Sequence, residues 1–269
     1  MGYIMRKYQA GLALVILLLT IPAFAGNEVK LCSGKYALLS LINRPTAAYS
    51  ACTVPTNEAI FEQGLQAQKL LVQGQELIFP AENIRFGLPG NNEFFALLPN
   101  YLYQTVLPHT GFTATFLGFK HIVAYTDNWL LSFLEMVVPS SGSRNFGERG
   151  FGGSFSAIFT GTIVPSLSIT GQFGFSTETA SIFYGGQRFN SFDEIIVLSW
   201  LIKNNLQFYA EVYGRNHVGP HQGSGFNIDS GFVFLLKPNV TLDIEVGQRL
   251  RGQLGYLENY VGAGIVFQF

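Results

Sequence analysis

Hydrophobic and polar residues alternate along much of the chain after residue 58. Residues 241–251 give the clearest example, because nearly every second side chain there is apolar. One face carries Leu242, Ile244, Val246, Gln248 and Leu250, and the other carries Thr241, Asp243, Glu245, Gly247, Arg249 and Arg251. A period of two is typical of a β-strand with different environments on its two faces. Residues 206–215 and 166–176 repeat the pattern, so the sequence predicts an all-β protein.

The pattern predicts twelve strands, and the connections between them alternate in length. The strands are expected at residues 60–72, 76–88, 93–104, 111–125, 129–138, 151–163, 167–176, 192–202, 206–216, 224–236, 240–251 and 259–269. Every second connection is a tight turn of turn-forming residues, at 89–92, 126–128, 164–166, 203–205 and 237–239. The connections between these turns are mostly longer and are polar or glycine-rich, as at 140–150, 177–191 and 217–223.

Connection lengths decide where the apolar faces point. Two-faced strands also occur in soluble sandwiches, so alternation alone does not distinguish a buried core from a lipid-facing surface. An even strand number with short turns at one end and long loops at the other is the outer-membrane pattern. We therefore predict a transmembrane, antiparallel, up-and-down β-barrel of about twelve strands. Tyr125, Trp129 and Trp200 lie beside tight turns, where they suit an aromatic girdle, although each taken singly suits a buried core equally well.

The first 25 residues have the features of an export signal. Two basic residues precede an apolar run at 10–21, and Ala-Phe-Ala at 23–25 supplies a signal peptidase pattern. The run is shorter than the roughly 20 residues that a membrane-spanning helix needs. The sequence thus predicts a cleaved signal peptide at residues 1–25, a mature chain from Gly26, and localisation in the outer membrane of a Gram-negative bacterium.

Composition and charge fit a membrane barrel and exclude several function classes. Only 12% of the residues are charged, against about a quarter in ordinary soluble domains. Sixteen Lys and Arg against seventeen Asp and Glu give a net charge of −1, so there is no basic field for nucleic acid. The chain has no His-Glu-x-x-His, Cys-x-x-Cys, phosphate-loop or Gly-x-Ser-x-Gly motif. We expect no nucleic-acid partner, no cofactor and no metal.

A short N-terminal segment, residues 26–58, continues no strand of the barrel at 59–269. It contains the only cysteines, Cys32 and Cys52, which can form a disulfide in an exported protein. The bridge would close a loop of about 20 residues and contribute roughly 3 kcal/mol in the chain-entropy model. Twelve strands leave more room than the filled eight-stranded barrels. We hypothesise that the N-terminal segment plugs or covers the periplasmic mouth, and an ordered periplasmic tail is the alternative.

Polar side chains opposite the lipid-facing residues are expected to line the lumen. The candidates for a solute site are Lys120, Gln207, Tyr209, Glu211, Tyr213, Arg215, Asn227, Asp229, Asp243, Glu245 and Arg249. Because charges of both signs meet there, these residues could orient a solute or set an ionic preference. Alternatively, the charged pairs only satisfy one another and stiffen a narrow barrel.

Short segments along the mature chain occur in an order that resembles a known family. They are CSGKYALL (32–39), RPT (44–46), SACTVP (50–55), RFGLP (85–89), LPNY (98–101), GFKH (118–121), VPSSG (138–142), YAEVYG (209–214), LDIEVG (242–247) and YVGAG (260–264). The family is one of bacterial outer-membrane proteins labelled as meta-pathway phenol-degradation transporters. The resemblance implies a barrel that passes small aromatic or apolar molecules, and it carries over no catalytic residues.

A catalytic role has little support in the sequence. His217, His221, Ser224 and Asn227 lie close together, and outer-membrane lipases need a serine paired with a histidine. These residues do not form the His-x-Ser-Asn-Gly arrangement of outer-membrane phospholipase A, so a lipid hydrolase is a remote alternative and we expect no enzyme. The two histidines also lack further ligands for a metal site.

The sequence therefore predicts a barrel in the outer-membrane lipid that allows passive diffusion of small solutes, aromatic or apolar ones among them. A structural or surface-interaction barrel with a closed lumen is the rival hypothesis. The terminal Phe269 ends an alternating strand, which resembles the signal that barrel-assembly machinery recognises.

Overall fold

The computed structural model describes residues 29–71 and 73–269. The predicted signal peptide at residues 1–25 lies outside the described residues. The strands are β1 Ala59–Leu70, β2 Gly74–Leu88, β3 Asn92–Leu97, β4 Tyr101–Gln104, β5 Thr110–Phe112, β6 Phe116–Tyr125, β7 Trp129–Val138, β8 Gly152–Val164, β9 Leu167–Thr179, β10 Arg188–Lys203, β11 Leu206–Arg215, β12 Gly225–Lys237, β13 Val240–Arg251 and β14 Leu257–Gln268. One short helix, α1, spans Leu38–Leu41, and 3₁₀ turns lie at Lys30–Cys32, Ile182–Tyr184 and Leu254–Tyr256.

The strands form a closed antiparallel barrel. Consecutive strands pair with one another from β6 to β14, β6 also pairs with β3, and β1 pairs with both β14 and β2. Because the first and last strands are joined, the barrel has no free edge there. The strand segments β3 and β4 together form one crossing of the wall, and β5 and β6 form the next. The predicted twelve-stranded up-and-down barrel is therefore confirmed.

Two predicted strands are interrupted at mid-length. The prediction of one strand at 93–104 and one at 111–125 is wrong at residues 98–100 and 113–115, which belong to no strand. Pro99 lacks a backbone N–H and cannot continue the ladder. The two interruptions bond to each other instead, because Thr113 N–H donates to Asn100 O at 3.0 Å and Asn100 N–H donates to Thr113 Oγ1 at 2.9 Å.

The longest predicted loop is shorter than expected. We predicted a loop at 177–191, but β9 and β10 remain paired as far as Thr179 and Arg188. The residues by which the two strands exceed the prediction, 177–179 and 188–191, are mostly polar. The alternation that marks the rest of β9 and β10 is therefore lost at their loop ends. Strands that extend beyond the membrane give no hydrophobic period to predict from.

The outer surface of the barrel is apolar. Phe173, Phe192, Ile244 and Val261 project outward and are 62%, 60%, 51% and 55% exposed. A continuous exposed apolar surface of this kind is expected where a barrel contacts lipid. The aromatic side chains Tyr125, Trp129 and Trp200 are also exposed, beside the short turns. Among the described residues, no helix has the length and apolar character needed to cross a membrane.

The C-terminal end of the chain closes the barrel beside Ala59, the first residue of β1. Phe269 N–H donates to Ala59 O at 2.9 Å, and Ala59 N–H donates to Phe269 O at 3.1 Å. The Phe269 side chain is 75% exposed and its ring lies 6.4 Å from that of Phe267. The terminal aromatic is therefore available on the outer surface, at the end of the barrel that carries the short turns.

The hydrophobic core lies inside the barrel, between the wall and the N-terminal segment. Leu38 and Leu41 of α1 and Val54 are buried in one cluster with wall residues that include Leu134 and Val266. The predicted disulfide between Cys32 and Cys52 is present, and both cysteines belong to the same cluster. A barrel of twelve strands is wider than the eight-stranded barrels that side chains alone fill, and this one holds a folded piece of its own chain.

Candidate functional site

A buried cluster of charges lies on the inner faces of β1, β2, β3 and β6. Arg85 is at its centre, with Nη1 2.8 Å from Glu62 Oε1 and Nε 2.8 Å from Glu93 Oε1. Lys120 Nζ lies 3.4 Å from the other oxygen of Glu93. All four side chains are almost completely buried. Two carboxylates and two cations balance one another, which is the condition under which charges are tolerated inside a protein.

The same cluster holds the backbone of the N-terminal segment. The guanidinium of Arg85 donates to Leu41 O, and Lys120 Nζ donates to Ser50 O at 2.9 Å. In the opposite direction, the N–H of Val54 donates to Glu93 at 2.9 Å. Asn43 N–H donates to Glu62 at 2.9 Å. The charges therefore satisfy backbone groups of the N-terminal segment, among them the Leu41 carbonyl at the end of α1.

Carboxylates on the opposite wall bind the N-terminal segment. Arg44 Nη2 lies 3.1 Å from Asp243 Oδ1 and 3.5 Å from Glu245 Oε1. Glu211 accepts two backbone hydrogen bonds, from Ala47 at 2.7 Å and from Ala48 at 3.1 Å. Charge-assisted bonds such as these are stronger than those between neutral groups.

A neutral side chain also binds the N-terminal segment on this wall. Gln172 Oε1 on β9 accepts the N–H of Tyr49 at 2.8 Å. We call the contacts of Glu211 and Gln172 with residues 47–49 the latch. Its three hydrogen bonds attach the innermost part of the N-terminal segment to β9 and β11.

The remaining predicted lumen residues lie on the inner face, and two of them adjoin the latch: Asp229 shares a hydrogen bond with Glu211, and Tyr209 is buried in one cluster with Ala48. Arg215 pairs with Asp193 and, at 3.0 Å, with Glu178 toward the long loops. Tyr260 donates to Asp229. Asn227 donates to Leu254 O at 3.3 Å. The other predicted residues are placed as follows: Tyr209 is buried, Gln207 and Tyr213 are half-buried, and Arg249 is exposed near the loop end.

Sequence reasoning missed the central residues of the charge cluster. Arg85 was detectable, because Asn83, Arg85 and Gly87 alternate with Ile84, Phe86 and Leu88, which is the pattern we used on other strands. Glu93 is followed by two phenylalanines, Phe94 and Phe95, which point to opposite faces of the strand. There is therefore no clear sequence signal that Glu93 points inward. Gln172 was detectable in the same way as Arg85, since it lies on the polar face of residues 166–176. Arg44 had no such signal, because its importance depends on contacts with distant parts of the chain.

Besides a cavity of about 550 Å³ beside the short turns at residues 91 and 238, two cavities flank the N-terminal segment inside the barrel. The larger, of about 530 Å³, separates the segment from the inner faces of β8 to β11 and extends to the short turn at residues 164–166. The smaller, of about 230 Å³, lies beside the interrupted strands and is lined by Asn83, Leu98 and Asn100 from the wall. The segment therefore occupies the lumen without filling it.

A second titratable pair points away from the lumen. His121 pairs in register with Phe133, and Glu135 pairs with Phe155, which is 42% exposed on the outer surface. His121 Nδ1 lies 3.8 Å from Glu135 Oε2. The imidazole is packed against the ring of Phe133 at a centroid distance of 5.7 Å. Polar groups on the lipid-facing side are unusual, and they are covered here by aromatic rings.

The histidines that prompted the hydrolase alternative lie apart from a serine nucleophile. His221 Nε2 is 3.1 Å from Gln187 Oε1, and His217 contributes its carbonyl oxygen to a bond from Ser191. Within the described ranges, no hydrogen bond joins either histidine to Ser224. A serine hydrolase has a histidine within hydrogen-bond reach of its attacking serine hydroxyl.

A glutamate in the outer loops has an altered affinity for protons. Glu148, between β7 and β8, accepts the N–H of Thr179 at 2.6 Å. Burial raises the pKa of Glu148 from 4.5 to about 7, with a smaller contribution in the same direction from Glu178. The bond from Thr179 and the charges of Arg188 and Arg215 lower the pKa only in part.

This glutamate makes the stability of the loops depend on pH. The folded protein binds the Glu148 proton more tightly than the unfolded chain, so the free energy of unfolding falls as pH rises from about 4.5 to about 7. Glu148→Gln removes this titration. We expect the free energy of unfolding of the variant, minus that of wild type, to be larger at about pH 8 than at about pH 5. Urea unfolding in detergent measures both values. An equal stability difference at both pH values would contradict the burial argument.

The fold and the lumen define a transmembrane β-barrel of the outer-membrane type. The sequence model of one protein family, described as "Putative MetA-pathway of phenol degradation", matches residues 42–263, and the chain belongs to this family. The match includes most of the barrel and the part of the N-terminal segment that carries the latch. Among curated proteins, none matches the sequence significantly.

Solved structures with a similar fold are outer-membrane channels. The COG4313 outer membrane channel from Pseudomonas putida F1 superposes with a TM-score of 0.66, at 9% identity, over 84% of this chain and 100% of that chain. The KdgM porin gives 0.53 at 9% identity over 78% and 99%, and the NanC porin gives 0.51 at 12% identity over 78% and 98%. Identities this low concern the fold alone.

Proposed function

We propose that the protein lets small solutes, aromatic or apolar ones among them, cross the outer membrane by passive diffusion. The observation that carries this proposal is the cavity of about 530 Å³ left open beside the N-terminal segment. A barrel whose role was only structural would gain stability by filling such a space. The motive force is the solute gradient, and the proposal involves no chemical change of the solute.

The N-terminal segment acts in this proposal as a plug inserted from the periplasmic side. The short turns are assigned to the periplasm, following the general arrangement of outer-membrane barrels. The segment enters at that end, since Lys30 Nζ lies 3.1 Å from Asp127 in a short turn. The charge cluster and the latch then hold it on opposite walls. Exposure of Phe269 at the same end suits recognition by the barrel-assembly machinery before insertion.

A closed structural or surface-interaction barrel is the second candidate function. The observation that favours it is the dense buried network around Arg85, in which Glu62, Glu93 and Lys120 are almost fully removed from water. On this hypothesis the plug never moves and the long loops meet other molecules. The two candidates differ in one measurable respect, which is whether solute crosses.

Solute flux separates these candidates. Refolded protein in liposomes is expected to pass phenol faster than a sugar of similar size and faster than salt, because the lumen is narrow and partly apolar. Stopped-flow swelling or release of an entrapped indicator measures the three rates at equal gradients. Flux of all three at similar rates would indicate a general pore.

Heat-dependent gel mobility serves as the folding control in this experiment. Folded protein that passes none of the three solutes would contradict the channel proposal and favour the closed barrel. Empty liposomes give the background rate, which is substantial for phenol because it is itself membrane-permeable.

A further inference from the structure

Neutral and charged side chains occupy different halves of the inner wall. Three successive rows of residues in register run from β8 across to β13. On β8 to β10 the rows contain Thr162, Ser168, Ser199; Thr160, Thr170, Val197; and Ile158, Gln172, Ile195. On β11 to β13 they continue as Tyr209, Gly231, Glu245; Glu211, Asp229; and Tyr213, Asn227, Arg249. The first half therefore offers hydroxyl, amide and alkyl groups, and the second half carries the charges.

The larger cavity lies against the neutral half. Its wall side includes the hydroxyls of Ser168 and Ser199, and Thr160 and Thr170 are joined by a hydrogen bond of 2.8 Å. Leu130, Val197, Leu201 and Tyr36 supply an apolar lining. Within the described chain, no carboxylate lines this cavity.

The two cations on the lining are largely accounted for. Arg44 is paired with Asp243 and Glu245, so its charge is balanced. Lys35 is exposed toward the short-turn end, with Nζ 5.7 Å from the centre of the Tyr36 ring. A permeating ion would lose its hydration in this cavity without gaining a free partner of opposite charge, which is unfavourable.

The latch lies at the end of the cavity that faces the loops. Gln172 lies in the third row, one position beyond Thr170 on the same face of β9, and it holds Tyr49 at 2.8 Å. Glu211 holds Ala47 and Ala48 beside it. Both Tyr49 and Ala48 also line the cavity. The space is thus bounded by the segment, by the hydroxyl-bearing wall and by the latch.

We propose that this space, the cleft between the N-terminal segment and β8 to β10, binds neutral hydroxylated aromatic molecules and is the route that they follow past the plug. An aromatic ring packs on the apolar lining, and its hydroxyl exchanges hydrogen bonds with Ser168, Ser199 or Thr170. A pocket that is mostly apolar with a few placed polar groups suits such ligands. The proposal rests on the proposed function for its direction of transport, while binding in the cleft does not depend on it.

Cysteine labelling tests the cleft directly. The chain's only two cysteines form the disulfide, so Ser168→Cys introduces a single free thiol into the cleft, and Ser199→Cys does so from the neighbouring strand if the first variant fails to fold. A bulky methanethiosulfonate reagent is applied to folded protein with and without phenol. Asn83→Cys, which lines the smaller cavity on the other side of the segment, is the matched control.

Phenol is expected to slow labelling of Ser168→Cys several-fold, and benzoate is expected to have little effect because it is charged. After labelling and reconstitution, phenol flux through this variant is expected to fall to background, while labelled Asn83→Cys keeps its flux. Block at Asn83→Cys alone, or equal protection by benzoate and phenol, would overturn the proposal.

The outcomes also separate this proposal from the proposed function. Protection by phenol in a protein that passes no solute would support the binding site and overturn the route, and the channel function would fail with it. Flux of phenol without protection or block at Ser168→Cys would overturn the cleft as site and route, and the channel function would stand.

Discussion

Arg85→Met is expected to lower the free energy of unfolding by about 3–5 kcal/mol, the cost of removing one partner from a buried charge pair. Arg85 is fully buried and lies 2.8 Å from both Glu62 and Glu93. Its loss would remove the cation that bridges Glu62 and Glu93 and would remove the donor to Leu41 O. Urea unfolding in detergent, followed by the fluorescence of Trp129 and Trp200, measures the change.

Two further variants identify the cause of the loss. Arg144→Met replaces an exposed arginine in a loop and is expected to change the stability by no more than about 0.5 kcal/mol. Adding Glu62→Gln to Arg85→Met removes the one uncompensated charge, because Glu93 keeps its ion pair with Lys120, so part of the stability should return. A loss below about 1 kcal/mol for Arg85→Met alone would indicate that water reaches the cluster, as in a surface pair.

The barrel could be predicted from the sequence because its physical cause is local. Lipid on one side and a polar lumen on the other impose an alternation that each strand carries by itself, as in residues 240–251, where the predicted and observed bounds agree. The interruptions at 98–100 and 113–115 were harder to predict. Pro99 is a visible warning, but the matching break at residues 113–115 is set by its bond to Asn100.

The interior of the barrel could be predicted only in part. Inward direction follows from alternation, so Glu211 and Asp243 were found as lumen candidates. Their partners were not found, because Ala47 lies 164 residues from Glu211 and Arg44 lies 199 residues from Asp243 along the chain. The path of the N-terminal segment is fixed by such distant contacts and has no period of its own. Sequence pattern therefore identifies a wall with polar groups, but it does not identify what those groups hold.

Loss of the latch is expected to increase ion conductance several-fold. The double variant Gln172→Ala, Glu211→Ala removes all three hydrogen bonds to residues 47–49. It leaves the charge cluster around Arg85 and the disulfide unchanged, so the base of the plug stays attached while its innermost part is released. Residues 47–49 would then be free to leave the inner wall, and the passage from the cleft to the loop side would widen for water and ions. Single-channel recording in planar bilayers measures the change.

A matched variant and a deletion make this result interpretable. Gln68→Ala also removes an inner-face glutamine, but one that bonds to Glu76 and not to the plug, so its conductance is expected to equal that of wild type. Deleting residues 29–55 removes the plug itself and is expected to give a conductance above that of the double variant. If the deletion conducts no better than wild type, the segment does not limit passage. If only the double variant remains at the wild-type level, the plug is held by its other contacts, the Arg85 cluster and the Arg44 ion pairs among them, and the latch has no gating role.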